Sequence, residues 1–172
     1  MTEAHRVADA GAVSREGDRL HVSIEGRYVS LIRDRGELFC MDSICFHAGG
    51  PLTIGDIEDI EGQRCVKCPW HHYYLTLKEG EKLYRATEFV DGKLVPAGWK
   101  SVGQRHRVHA VEERADGLYV TLDPRPEGDV ESDRYAFNAH CGERVASTTL
   151  ELTKPGGDGK WYPSGSVRRG GR

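Results

Sequence analysis

Cys45-Phe46-His47 sets a thiol and an imidazole at C-x-H spacing, and Cys68-Pro69-Trp70-His71 sets a second couple at C-x-x-H. Each segment supplies one soft thiolate and one neutral imidazole. A thiolate stabilises ferric iron bound to sulfide, while an imidazole ligates without adding negative charge, so two of each suit a two-iron cluster with chemically unlike ends. Cys45, His47, Cys68 and His71 are therefore the candidate metal and cofactor ligands. The competing reading is a zinc knot, because Cys65-Val66-Lys67-Cys68 has the C-x2-C spacing of zinc ribbons. Zinc sites seldom take Cys and His only one residue apart, and Gly49-Gly50-Pro51 lets backbone amides approach a cluster closely.

Couples of this kind need loops held by strands, and the chain reads as strands punctuated by turns. Leu20-His21-Val22-Ser23-Ile24 alternates apolar with polar, Glu25-Gly26 interrupts, and Arg27 to Arg33 resumes in β-branched and aromatic types, which predicts an antiparallel pair. Asp34-Arg35-Gly36 turns into a third strand, Glu37-Leu38-Phe39-Cys40-Met41. A later pair is predicted over Arg105–Glu113 and Leu118–Leu122 around Asp116-Gly117. Between them, 43–104 is rich in Gly, Pro, Cys, His and aromatics, with only short strand candidates such as Tyr73–Leu77. Long loops inside a compact domain are usually functional.

The composition bounds the role. With 172 residues, one domain with a small extension is expected, large enough for one sizeable core. Lys+Arg 24 against Asp+Glu 27 disfavours a dedicated nucleic-acid binder. No apolar run reaches the roughly 18 residues of a membrane span, and the first residues lack a secretory pattern. A cytoplasmic protein is the simplest reading. Five cysteines, odd in number and clustered, fit reduced thiols or metal ligands better than a disulfide framework. Beyond Pro124 a polar linker begins. Leu150-Glu151-Leu152-Thr153 suggests one edge strand, and the Gly/Arg-rich stretch from 154 is expected to be disordered.

The paired motif resembles the Rieske iron-sulfur family, with Cys45 to Leu52 similar to its first cluster loop and Cys68 to His71 to its second. Gly55 to Gln63, running into the second loop, is similar to the soluble eukaryotic Rieske-domain-containing proteins, a ferredoxin-like group. The resemblance covers about 19–135. It implies an all-β Rieske fold: an antiparallel, sandwich-like base domain carrying a smaller cluster-binding subdomain made of two loops. The expected organisation is an N-terminal extension over 1–16, the Rieske domain over 17–135 with its cluster-binding subdomain at about 43–85, and a C-terminal extension over 136–172. The resemblance further implies one 2Fe-2S cluster, with Cys45 and Cys68 on one iron and His47 and His71 on the other.

Such a chain is expected to carry single electrons between a reductase and an acceptor such as an oxygenase; a monomer suffices for this. The alternative is a redox-sensing or interaction module. A self-contained oxygenase is excluded by length. In high-potential respiratory members a disulfide joins the two loops and Ser and Tyr hydroxyls reach the cluster; here those positions are Gly50 and Trp70, and Tyr73 and Leu75. With those donors missing, the potential is expected in the lower part of the range of about -150 to +300 mV. His72 stands where most members have Gly.

The remaining candidates have plainer readings. Cys40, Cys65 and Cys141 are expected as buried packing. Trp70, Tyr73 and Tyr74 are read as apolar cover over the cluster, or as a gate for electron transfer. Asp56, Glu58, Asp59 and Glu61 read as a solvated acidic loop, or as a dock for a basic reductase. Arg105, Arg107 and His109 read as an ordinary polar sheet face, or as a docking patch.

Overall fold

The computed structural model describes residues 2–153, with side chains to Thr149, so the stretch 154–172 lies outside the described residues. Two antiparallel sheets carry most of the chain. The first joins β1 (Ala4–Ala8), β2 (Arg19–Ile24), β3 (Arg27–Asp34), β4 (Glu37–Asp42), β10 (Val108–Arg114) and β11 (Gly117–Thr121) in the order β1-β11-β10-β4-β3-β2. The second runs in sequence order: β5 (Asp56–Ile60), β6 (Gln63–Lys67), β7 (Tyr74–Thr76), β8 (Glu81–Val90) and β9 (Lys93–Gln104). Two helices follow, α1 (Asp133–Ala136) and α2 (Ala139–Thr153). Among the described residues no helix is long and apolar enough to cross a membrane.

Alternation along the strands explains how the sheets meet. β3 is buried at all eight positions. Val29 and Leu31 face the interior of the first sheet, together with Leu20, Val22, Cys40, Leu118 and Val120. Val7 and Ala8 of β1 share that core with β2, so the outermost strands lie over one interior and the sheet curls. From the opposite faces of β3 and β4, Ile32 and Met41 join Val66, Leu75 and Leu77 of the second sheet and Cys45, Phe46, Leu52 and Cys68 of the connecting loops. The cysteine couples thus grow out of the core between the sheets.

Three segments depart from expectation. Residues 1–16, read as an extension, supply β1, paired with β11 in the first sheet. The stretch 81–104 forms a long hairpin whose exposed Phe89 and Leu94 obscure its strand pattern. Leu150–Thr153, read as an edge strand, ends α2 instead. Cys141, Val145 and Thr149 recur every four residues and are all buried, which is helical spacing.

A buried ionic network ties β3, β4 and β10 to α1. Asp42 accepts from Arg27 Nη1 at 2.8 and 3.0 Å, from His109 Nε2 at 2.9 Å and from Ser132 Oγ at 2.6 Å. Arg27 also reaches Asp133 at 2.8 Å, and Asp133 accepts from Arg107 Nε at 2.8 Å. Arg107 and His109 are therefore interior anchors rather than the sheet-face patch expected, and only Arg105 of that trio stays accessible, in an ion pair with Glu131. Burial alone would raise Asp42, but the bond from His109 and the charges of His106, His109 and Arg27 hold it below the usual carboxylate range.

Asp42→Ala leaves Arg27 and His109 buried without a shared anion, and should cost about 3–5 kcal/mol in urea unfolding. Acid should act through His21, which lies inside the fold with Nδ1 2.7 Å from Ser43 Oγ, and whose pKa burial pushes from 6.5 down to about 4. Between those values the unfolded chain binds a proton that the folded chain refuses, so stability falls as pH drops. We expect about 2 kcal/mol less at about pH 5 than at about pH 7.5, and a flatter profile in His21→Asn, from urea midpoints.

Candidate metal centre

Both cysteine couples sit on one backbone frame. In the first loop Cys45 N–H donates to Gly50 C=O at 2.9 Å and Gly49 N–H to Cys45 C=O at 3.0 Å. In the second, Cys68 N–H donates to Tyr73 C=O at 2.8 Å and His72 N–H to Cys68 C=O at 2.9 Å. The residue four past each cysteine is left-handed, Gly49 at φ +77 and His72 at φ +62. His72 therefore occupies the corner that glycine fills in the first loop, a conformation that costs a non-glycine residue of order 1 kcal/mol or more. The histidine of each couple stands at a different point on this shared frame, two residues past Cys45 and three past Cys68.

Packing brings the loops together. Ser43, which leads into the first loop, is held by His21 and by Ser30 Oγ, each at 2.7 Å. Arg19 Nη1 donates to Thr53 and Gly55 carbonyls, both at 2.6 Å, and anchors the short 3-10 turn Leu52–Ile54 at the loop's exit. A Cβ on Gly55 would lie 2.3 Å from the Lys67 carbonyl oxygen, so only glycine lets that exit touch the strand leading to Cys68. At Gly50 a Cβ would stand 3.1 Å from both Cys68 Sγ and the Trp70 ring.

The donors sort by type. Cys45 and Cys68 are buried and share a hydrogen bond; His47 and His71 are exposed, with ring centroids 4.8 Å apart and edge to face. That bond pushes the Cys45 thiol up, reinforced by burial, and pulls the Cys68 thiol down despite burial. Backbone N–H groups of His47 and Ala48 serve the Cys45 sulfur, and those of Trp70 and His71 serve Cys68. Slight desolvation by its neighbours, then the charges of His71, Lys82 and Arg134, lower the pKa of His47 and favour the neutral ring that a metal needs. Among the described residues no three His, Cys, Asp or Glu side chains converge as a single ion would require. Two sulfurs at one end and two imidazoles at the other fit a group with two unlike metal ends.

Cys65 does not join this centre. It points into a separate core with Ile60 and Leu83, and burial raises its thiol to about 12, so Cys65 and Cys68 do not act as a zinc-ribbon pair. Cys40 and Cys141 are also buried. Tyr73 covers the site, stacked on Phe46 at 6.0 Å and 4.5 Å from the His47 ring; Tyr74 turns away to Glu58 and Trp99, and Trp70 is 42% exposed, less covered than apolar packing would leave it. The acidic stretch 56–61 is β5 and the start of its hairpin turn, with Glu58 paired to Lys67 and Asp59 to Arg35, each at 3.4 Å. Sequence reasoning missed the cations Lys82, Arg134 and Arg144 around the loops; two of them lie past the linker, where no strand pattern drew notice.

The family described as soluble Rieske-type ferredoxin matches residues 9–125. A Rieske domain-containing protein of Homo sapiens is 39% identical over 122 residues, 71% of this chain and 76% of that protein. The ferredoxin component of the naphthalene 1,2-dioxygenase system of Pseudomonas putida is 31% identical over 68 residues, 40% of this chain and 62% of that protein. Among solved structures, a chain in the complex of reduced oxygenase and oxidised ferredoxin in carbazole 1,9a-dioxygenase superposes with a TM-score of 0.51 at 18% identity, covering 74% of this chain and 100% of that one. That likeness shows the fold. By the extent of these matches the chain belongs to the soluble Rieske-type ferredoxins, one-electron carriers built on a 2Fe-2S cluster.

Proposed function

We propose that Cys45 and Cys68 hold one iron of the cluster and His47 and His71 the other, within a cluster-binding subdomain over about 43–85. The protein then takes single electrons from a reductase and delivers them to an acceptor such as an oxygenase. The observation that carries this reading is the sorting of the donors, with thiols buried and imidazoles exposed. When bound, the cluster supplies reversible one-electron chemistry.

The chain's residues do the rest. Phe46, Leu52 and Leu75 keep water from the thiolate end, and the four backbone N–H groups at the sulfurs stabilise negative charge there. Of the two positions where high-potential members place a hydroxyl, Leu75 is buried hydrocarbon, and at Tyr73 a bulky ring packed against Phe46 and His47 replaces the serine. This supports a potential in the lower part of the Rieske range. The oxygenase as acceptor is supported by the dioxygenase systems in which the bacterial relatives serve. Buried free thiols at Cys40, Cys65 and Cys141 suit a reducing compartment, and a monomer in the cytoplasm is the reading we adopt.

Anaerobic purification with iron, sulfide and zinc analysis should find two irons and two sulfides per chain and a Rieske-type EPR signal after dithionite; one zinc without sulfide would reject the assignment. Cys45→Ser and His71→Ala should lose the signal, whereas His72→Gly should keep it and shift stability by less than about 1 kcal/mol, as strain relief and chain entropy oppose one another. Protein-film voltammetry should return a potential below about 0 mV, and a value well above it would overturn the low-potential reading.

A further inference from the structure

The exposed edge of His47 and His71 is framed by three cations, each seated on an aromatic ring of the centre. Lys82 Nζ lies 4.1 Å from the centroid of Tyr73, whose ring is 4.5 Å from that of His47. Arg144 Cζ lies 4.8 Å from the centroid of Trp70, the ring that closes over Gly50. Arg134 Cζ lies 5.4 Å from the centroid of Tyr135, which borders Gly49.

Among the described residues none of the three cations is ion-paired, and the nearby Glu131 is engaged by Arg105 at 2.7 Å. The difference between the two kinds of partner matters. A carboxylate cancels a cation's field, whereas an aromatic face holds the head group and leaves its charge standing. The chain as a whole is negative, with formal charge -3, so this positive ring stands against the sign of the molecule. Arg134 and Arg144 belong to α1 and α2, beyond the residues 9–125 that the family match covers. The C-terminal helices therefore add charge to a loop pair that the family shares.

We infer that Lys82, Arg134 and Arg144 form a docking ring for a carboxylate-rich face on the protein with which this chain exchanges electrons. The inference rests on the proposed position of His47 and His71 at the exposed end of the cluster. Complementary charge at that edge speeds encounter and orients it. A nucleic acid is the poorer fit, because three cations fall short of the about 6–10 phosphate contacts that give such complexes their affinity.

Stopped-flow oxidation of the reduced full-length holoprotein tests the ring. One electron passes to hexacyanoferrate(III), giving hexacyanoferrate(II), or to tris(phenanthroline)cobalt(III). If the ring governs encounter, the hexacyanoferrate rate falls about 3-fold or more as ionic strength rises from about 0.02 to about 0.5 M, and the cobalt rate rises. The triple variant Lys82→Gln, Arg134→Gln, Arg144→Gln should lose that dependence with iron content and EPR intact; Arg134→Gln alone should weaken it. Poly-L-glutamate should slow hexacyanoferrate reduction by the native protein and leave the triple variant unaffected.

A hexacyanoferrate rate that rises with salt, as the net charge would dictate, or an unchanged salt dependence in the variants, overturns the proposal. So does stronger slowing by duplex DNA than by poly-L-glutamate at equal charge. A native protein that holds no cluster would instead defeat the ligand assignment, which iron and sulfide analysis reads separately.

Discussion

The Asp42 carboxylate, inside the protein and shared by Arg27, His109 and Ser132, is the contact on which the remaining architecture depends. It ends β4 and stands three residues before Cys45. Through Arg27 and Asp133 it also joins the first sheet to the helical segment, and through Arg107 to the carbonyls of Arg125 and Pro126 at 3.0 and 2.9 Å. Charges so buried are costly unless every partner is in place. Here the partners come from β3, β10 and the approach to α1, so those elements must assemble in one arrangement, and the start of the first loop is set with them.

The two loops show how one backbone solution serves two Cys–His spacings. Each closes with a bond from its cysteine N–H to the carbonyl five residues on, and each turns a corner at the residue four past the cysteine. Side-chain position on that frame then differs by one residue. C-x-H and C-x-x-H are thus two readings of a single fold of the chain, and His72 is a corner residue that happens to be histidine. Its neighbour His71 faces His47; His72 is held by its backbone to Cys68.

Much of this was legible before the structure. The spacing singled out the two thiol–imidazole couples, which the structure brings together, and β2 to β4 followed from period-two alternation with Glu25-Gly26 and Arg35-Gly36 as turns. What stayed hidden was hidden for physical reasons. β8 and β9 are exposed on much of both faces and interrupted by Pro96, Gly98 and Gly103, so alternation is weak; only Asp91-Gly92 marked the turn. α2 follows a Pro-rich, polar linker and runs into a Gly-rich stretch, so its helical spacing stands out little from its surroundings. Arg107 and His109 looked like surface residues because burial of a charge is decided by partners far along the chain, such as Asp133, that no local pattern contains.

The separation of buried thiols from exposed imidazoles has a consequence for traffic. On the proposed ligand set, with the thiol end enclosed by core, electrons arrive and depart by the same imidazole edge. A donor and an acceptor would then share that edge and could not occupy it together. Turnover then requires release between visits, so a partner that gripped too tightly would stall the relay as surely as one that never came.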